Sequence, residues 1–261
     1  MGQKVHPTSV RLGINETWDI RWSHNIHYGQ FFQQDLQVRR FIQSLCKYNQ
    51  VLLGQFTTWR TPADNALNFD LYKKAANKGY LFVYFQIFLP TPNTKDIKWV
   101  RELQWKAQEH IQELVGSDIQ PIVNIDPIWQ SKSNTFDDDI DFLTRWLIQK
   151  DSVLLAQWIA SEIRKRKGLK DILKKIEKAY KQVDNQDAHY LIKGIKVSCS
   201  GRFRMTAGEK RTNQMARTKS YKKGQIPLQT LSQQISYSYA TAHTVEGTSG
   251  IKVWISYKNK E

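Results

Sequence analysis

Cysteine, acid and long apolar runs are all scarce in this chain of 261 residues, and each shortage closes off a class of protein. The two cysteines, Cys46 and Cys199, lie far apart and form no CxxC pair. They cannot build a disulfide framework, and a reducing compartment is expected. The longest apolar run, Leu81 to Leu89, contains Gln86 and falls well short of the roughly 18 residues that a membrane-spanning helix needs. Residues 1–12 hold one lysine and no apolar stretch of roughly 7–15 residues, so they do not read as a signal peptide, nor as an Arg- and Ser-rich transit peptide. Catalytic signatures are missing as well. There is no GxxxxGK[ST], no GxSxG and no HExxH, and Gly208-Glu209-Lys210 lacks the rest of a phosphate loop. His24 with His27, and Asp137 to Asp141, have no partners that complete a metal site; a polar surface and an acidic first helical turn describe them better. No enzyme, cofactor or metal is expected.

What is present is base. The chain carries 39 Lys and Arg against 24 Asp and Glu, a net charge of +15. Residues 1–60 hold 7 basic and 3 acidic side chains, residues 61–150 hold 10 and 12, and residues 151–261 hold 22 and 9. The last third is therefore built to face a polyanion, while the near-neutral middle suits packing or protein contact. With 40% hydrophobic residues and 9 Trp, 11 Tyr and 11 Phe, the chain can bury a core.

Hydrophobic spacing predicts a helix over 35–47, a strand over 51–59 weakened by Gly54, and a buried strand over 81–89 stopped by Pro90-Thr91-Pro92-Asn93. A helix over 96–115, a strand over 119–125 and a short helix over 137–149 follow. Helices over 152–166 and 169–180 break at Gly168, and strands are expected over 194–199, 214–221, 235–242 and 250–257.

Two basic clusters carry the functional signal. The first runs from Arg164-Lys165-Arg166-Lys167 through Lys170, Lys174, Lys175, Lys178 and Lys181, with Asp171 and Glu177 as the acids. A merely solvated helix face alternates sign more evenly, so anion binding is the better reading. The second spans 196–223 and holds Lys196, Arg202, Arg204, Lys210, Arg211, Arg217, Lys219, Lys222 and Lys223 against Glu209 alone. Such side chains on loops and strand ends suit phosphate contacts, which fix position without reading sequence. Tyr221, Tyr237, Tyr239 and Trp254 recur at strand spacing and read as sheet-face packing before base stacking. A membrane surface is the competing polyanion, but it would need a basic helix with an apolar face, and the second cluster is strand and loop.

Both ends of the chain resemble small ribosomal subunit protein 3. At the start stand Met1-Gly2-Gln3-Lys4-Val5-His6-Pro7 and Arg11-Leu12-Gly13. Later come Lys193-Gly194-Ile195-Lys196-Val197, Ser200-Gly201-Arg202, Met215-Ala216-Arg217-Thr218, Ile226-Pro227-Leu228-Gln229-Thr230-Leu231, Ala242-His243-Thr244 and Gly250-Ile251-Lys252-Val253-Trp254-Ile255. The resemblance implies an α+β protein: an N-terminal degenerate KH (type II)-like domain, then a C-terminal α/β domain of two helices and a four-stranded sheet. The expected division is a rRNA-binding tail over 1–34, the KH-like domain over 35–125, a linker or insertion over 126–150 and the C-terminal domain over 151–261. It also implies a structural role in the small-subunit head, with rRNA, mRNA and neighbouring proteins 10 and 14 as partners and no membrane. An RNA-binding or repair factor acting away from the ribosome is the alternative.

The rRNA-facing residues expected on this basis are Lys4, His6, Arg11, Lys196, Arg202, Arg204, Lys210, Arg211, Arg217, Lys219, Lys222 and Lys223. Lys165, Arg166, Lys170 and Lys174 are expected at the mRNA entrance. The tail from Gly2 to Arg11 has too little apolar content to fold alone and is expected to order by lying in a groove of rRNA. Two departures from the family pattern stand out. No glycine lies between Gly79 and Gly116, so the GxxG loop with which a KH domain clamps nucleotides is absent and Pro90 to Lys95 occupies its place. Asp171 also stands between Lys170 and Lys174 where bacterial relatives carry a basic residue linked to mRNA unwinding. Extra residues are expected near 61–78, 126–150 and 203–214. The family motif begins at Met1 with no import sequence before it, and the divergence favours a mitochondrial ribosome over a chloroplast or bacterial one.

Overall fold

A computed structural model describes residues 5–22, 27–49, 51–61, 79–89, 94–116, 119–129, 138–148, 151–185, 192–206 and 216–258. The chain divides into two units, Trp18–Gln130 and Met1–Thr17 with Ser131–Glu261. No described helix is long and apolar enough to cross a membrane.

The unit Trp18–Gln130 is built from α1 (Tyr28–Tyr48), β1 (Leu52–Thr61), β2 (Gly79–Leu89), α2 (Thr94–Val115) and β3 (Ile119–Trp129). Its sheet has the order β1-β2-β3, with β1 antiparallel and β3 parallel to β2. A parallel pair needs a crossover, and α2 supplies it. The strand over 81–89 is not buried on both faces as its aromatic content suggests. Leu81, Val83, Phe85, Ile87 and Leu89 alternate inward, while Tyr80, Phe82, Tyr84, Gln86 and Phe88 stay half-buried on the other face. The inward set packs with Val38, Ile42 and Cys46 of α1 and Leu103, Ala107 and Ile111 of α2. Burial pushes the Cys46 thiol up to about 12, so it packs as an inert apolar group.

Helix α1 starts seven residues earlier than the apolar spacing predicts. The reason is polar. Asp35 faces the core and accepts hydrogen bonds from Arg60 Nε at 3.0 Å and Nη2 at 2.5 Å, from Trp22 Nε1 at 2.7 Å and from Thr58 Oγ1 at 3.1 Å. The Arg60 guanidinium lies 4.8 Å from the Phe31 ring centre and 5.6 Å from that of Trp22. A buried charge at Asp35 breaks the apolar period although the helix continues through it.

The second unit holds α3 (Asp138–Ile148), α4 (Ser152–Arg164), α5 (Leu169–Asn185), β4 (Ile192–Gly201), β5 (Arg217–Gly224), β6 (Ile235–Thr244) and β7 (Gly247–Tyr257). The strands form one antiparallel sheet in the order β5-β4-β7-β6. Helix α4 is buried almost all round through Leu154, Leu155, Ala156, Ile159, Ala160 and Ile163, with the sheet on one side and α3 and α5 on others. Residues 151–261 hold two described helices and the four-stranded sheet, as expected. The segment expected as a linker or insertion, with a short helix over 137–149, contributes α3 to the same unit, and its Ile140, Leu143, Trp146 and Leu147 are buried.

The close pairing of β4 with its neighbours depends on glycine. Gly224 has a φ of +72°, and a Cβ there would run into the carbonyl of Lys193 and the Cα of Gly194. Gly201, at φ +124°, is pinned in the same way against Thr248. Gly224→Ala is expected to destabilise this unit by about 2 kcal/mol in a urea titration, from strain and lost β4–β5 pairing. A loss below a few tenths of a kcal/mol would mean the two strands are free to separate there.

Candidate nucleic-acid interface

Charge is divided unevenly between the units. Trp18–Gln130 carries 12 basic and 10 acidic side chains, the other unit 27 and 14. No residue of β4, β5, β6 or β7 is Asp or Glu, while seven are Lys or Arg. Alternation along the strands sorts them onto two faces. Ile195, Val197, Ile251, Val253 and Ile255 turn toward the helices and are buried, which places Lys196, Ser198, Lys252, Trp254, Tyr237 and Tyr239 on the opposite face. Cross-strand register then makes rows of this outer face. One row runs Lys222, Lys196, Trp254, Tyr237, the next Ser220, Ser198, Lys252, Tyr239. In the first row the Lys196 ammonium sits 4.9 Å from the Trp254 ring centre, Trp254 and Tyr237 lie 5.3 Å apart, and the His6 ring meets Tyr237 edge-on at 4.7 Å.

A second basic surface forms at the α4–α5 turn. Arg164, Arg166 and Lys167 line a cleft with Arg202, Arg204 and His243. Arg166 has a φ of +63°, the one positive value among the described residues other than glycine. The first amides of α5 are already engaged, Leu169 N–H donating to the Arg204 carbonyl and Lys170 N–H to that of Met205. The cleft therefore offers side-chain cations and not a free helix end. Two acids sit among them. Buried Glu162 takes Lys165 at 3.1 Å and also Lys167, and Glu246 takes Arg204 at 2.6 Å. The Arg164 guanidinium donates to the Thr241 carbonyl at 3.0 Å. Beyond the turn, Lys170, Lys174 and Lys178 are exposed along α5, with Asp171 exposed among them, over a buried side of Ile172, Ile176 and Ala179.

The residues singled out from sequence fall into distinct places. Lys219, Lys222 and Lys223 are exposed on β5, an edge strand. Arg217 is half-buried, donating to the Phe203 carbonyl at 2.8 Å with its guanidinium 5.4 Å from that ring's centre. Arg166, expected with the mRNA group, and Arg202 and Arg204, expected with the rRNA group, share one cleft. Lys4, Lys210, Arg211 and the Pro90 to Asn93 stretch lie outside the described residues.

Arg11 is corrected. Its side chain is fully buried and donates to four backbone carbonyls: Nε to Gln233 at 2.9 Å, Nη1 to Pro7 at 3.0 Å, and Nη2 to Leu228 at 3.0 Å and Thr230 at 2.8 Å. Four of its five N–H donors are taken and the side chain has no exposed surface, so it does not face phosphate. The tail around it packs on its own unit, with Asn15 Nδ2 also donating to the Leu231 and Ser232 carbonyls. One outward cation escaped notice, Lys252; its cross-strand neighbour is Tyr239, which sequence alone reads as sheet-face packing before base stacking. Only strand register brings them together, and a sequence does not display register.

The family described as Ribosomal protein S3, C-terminal domain, matches residues 156–255. The chain is 32% identical over 261 residues to small ribosomal subunit protein uS3 of Fervidobacterium nodosum, covering 100% of this chain and 99% of that one. It is 30% identical to the uS3 protein of Carboxydothermus hydrogenoformans, covering 100% and 93%. It is also 30% identical to that of Thermosipho africanus, covering 98% and 97%.

Proposed function

The chain belongs to the small ribosomal subunit protein uS3 family, and from that premise we propose that it sits in the head of the small subunit, holding rRNA and lining the mRNA entrance. Its role is structural and not enzymatic. The observation that carries the reading is the match across nearly the whole of both chains. The acid-free, lysine-bearing sheet supports it, since sequence-independent phosphate contact needs fixed cations without competing carboxylates. Sedimentation through sucrose is the test: the protein should travel with small subunits after a high-salt wash, and recovery at the top of the gradient would sink the proposal.

The rRNA-facing set on this reading is His6, Lys196, Arg202, Arg204, Arg217, Lys219, Lys222 and Lys223, joined by Lys252, with Lys4, Lys210 and Arg211 added from sequence. The unit Trp18–Gln130 serves as a KH-like scaffold that has given up clamping nucleotides. Supporting this, α2 is the one helix among the described residues between β2 and β3, and no glycine stands between Gly79 and Gly116. Its near-neutral surface suits neighbouring head proteins, numbers 10 and 14 by resemblance. We place the protein in a mitochondrial ribosome because of its divergence from the bacterial pattern; finding the coding sequence on a plastid, bacterial or nuclear chromosome counts against that.

Lys165, Arg166, Lys170 and Lys174 are assigned to the mRNA path. Lys170 and Lys174 are the ones open to a passing strand, whereas Lys165 is drawn to Glu162. Asp171 opposes phosphate there but favours the positive end of α5. Asp171→Arg is therefore expected to lengthen mRNA retention at the entrance about two- to fivefold, the range of one exposed charge contact. It should weaken the helix by about 0.5 kcal/mol. Unchanged or shorter retention in a dissociation assay on assembled subunits would remove α5 from the path.

A further inference from the structure

The outer face of the β5-β4-β7-β6 sheet presents an exposed aromatic ring, Tyr239. Tyr239 is 72% exposed, although Tyr237, two positions away along this face, is closed in by His6 and Trp254. Directly across from Tyr239 is exposed Lys252, and beyond it in the same row are Ser198 and Ser220. A protein partner would call for apolar area in this row, which instead offers one ring, one cation and two hydroxyls. That combination fits a nucleotide: a base against the ring, a phosphate beside the ammonium and hydroxyls for sugar or base edges.

We propose that Tyr239, with Lys252 beside it, is a stacking site for unpaired nucleotides of the small-subunit rRNA. The inference rests on the family reading above and adds to it the kind of RNA this face takes. The packed row Lys196–Trp254–Tyr237–His6 makes a rigid floor next to the open row, so the ring is held ready and little ordering is left to binding. Ribosomal RNA is the source and not the message, because α4 packs on the opposite face of the same sheet and α5, with Lys170 and Lys174, packs with α4 and α3 on that side, its Tyr180 hydroxyl reaching toward Gly224. A strand running along α5 is separated from Tyr239 by the thickness of the sheet.

The test compares wild type, Tyr239→Ala and Tyr239→Phe, exposed changes that spare the core. Assembled small subunits are isolated first, and incorporation of the wild-type chain is scored by sedimentation; failure at that stage sinks the family-based reading and this inference with it. In subunits that do contain the chain, base-modifying reagents should react with a few additional unpaired rRNA nucleotides for Tyr239→Ala, while Tyr239→Phe retains the wild-type protection. The purified full-length chain should bind a short oligouridylate about tenfold more weakly when Tyr239 is Ala, and unchanged when it is Phe. Normal incorporation with identical rRNA reactivity in all three overturns this inference alone. So does photo-crosslinking from position 239 to mRNA or to a protein, in place of rRNA.

Discussion

Arg11→Ala is expected to lower the unfolding free energy of its unit by about 3 kcal/mol, the larger share of it from carbonyls left without donors. The guanidinium is the hub of a turn. It gathers the carbonyls of Leu228, Thr230 and Gln233 from one segment and Pro7 from another, and burial lowers its pKa from the usual value against the pull of Glu16. Lysine does not substitute, because an ammonium on a flexible stem cannot span four acceptors set around a planar fork. Arg11→Lys should recover less than half of the loss in a denaturant titration. The competing idea, a phosphate contact, makes the opposite pair of predictions: weaker RNA binding and an unchanged unfolding midpoint.

Asp35→Ala should be as severe in the other unit, about 3–5 kcal/mol, since it strands the Arg60 guanidinium among Phe31 and Trp22 with its counter-charge gone. The pair itself is a different matter. Asp35→Leu combined with Arg60→Met removes both desolvated charges and should return the stability to within about 1–2 kcal/mol of wild type. Segment-resolved hydrogen exchange would show the single change opening α1 and β1 and the double change closing them again. If the double variant were as unstable as the single one, the hydrogen bonds from Trp22 and Thr58 to Asp35, and not the ion pair, would be what that corner requires.

These two arginines also mark where the sequence misleads. Basic residues near Gly and Pro in a polar tail read as phosphate contacts, yet Arg11 is claimed by carbonyls more than two hundred residues away in the chain. Asp35, paired with Arg60 of β1, interrupts the apolar period of α1, so spacing alone predicts that helix only from residue 35 and not from Tyr28. By contrast α4 and α5 were legible because their burial is written in Leu, Ile and Ala at helical spacing. The four strands of the second unit were legible from alternation, but their order was not, and with it went the pairing of Tyr239 with Lys252. The basic clusters located the interface by region. Which cations stay available was decided by Glu162 and Glu246, two acids too few to register in a charge count.

The strand order β5-β4-β7-β6 carries a kinetic consequence. Until β7 emerges, β4–β5 forms a hairpin-like half and β6 has no neighbour, because β7 pairs with both sides of the gap. The Arg11 anchor likewise waits for residues 228–233 before it has acceptors. The unit Trp18–Gln130, lying between these pieces in the chain, needs none of them and can fold while synthesis continues. The basic unit closes late and through distant contacts, a slow route on which unpaired strand edges stay open. During that interval a cationic, half-formed sheet is a nascent chain looking for a polyanion, and prompt delivery to folding rRNA would shield the very edges that synthesis leaves exposed.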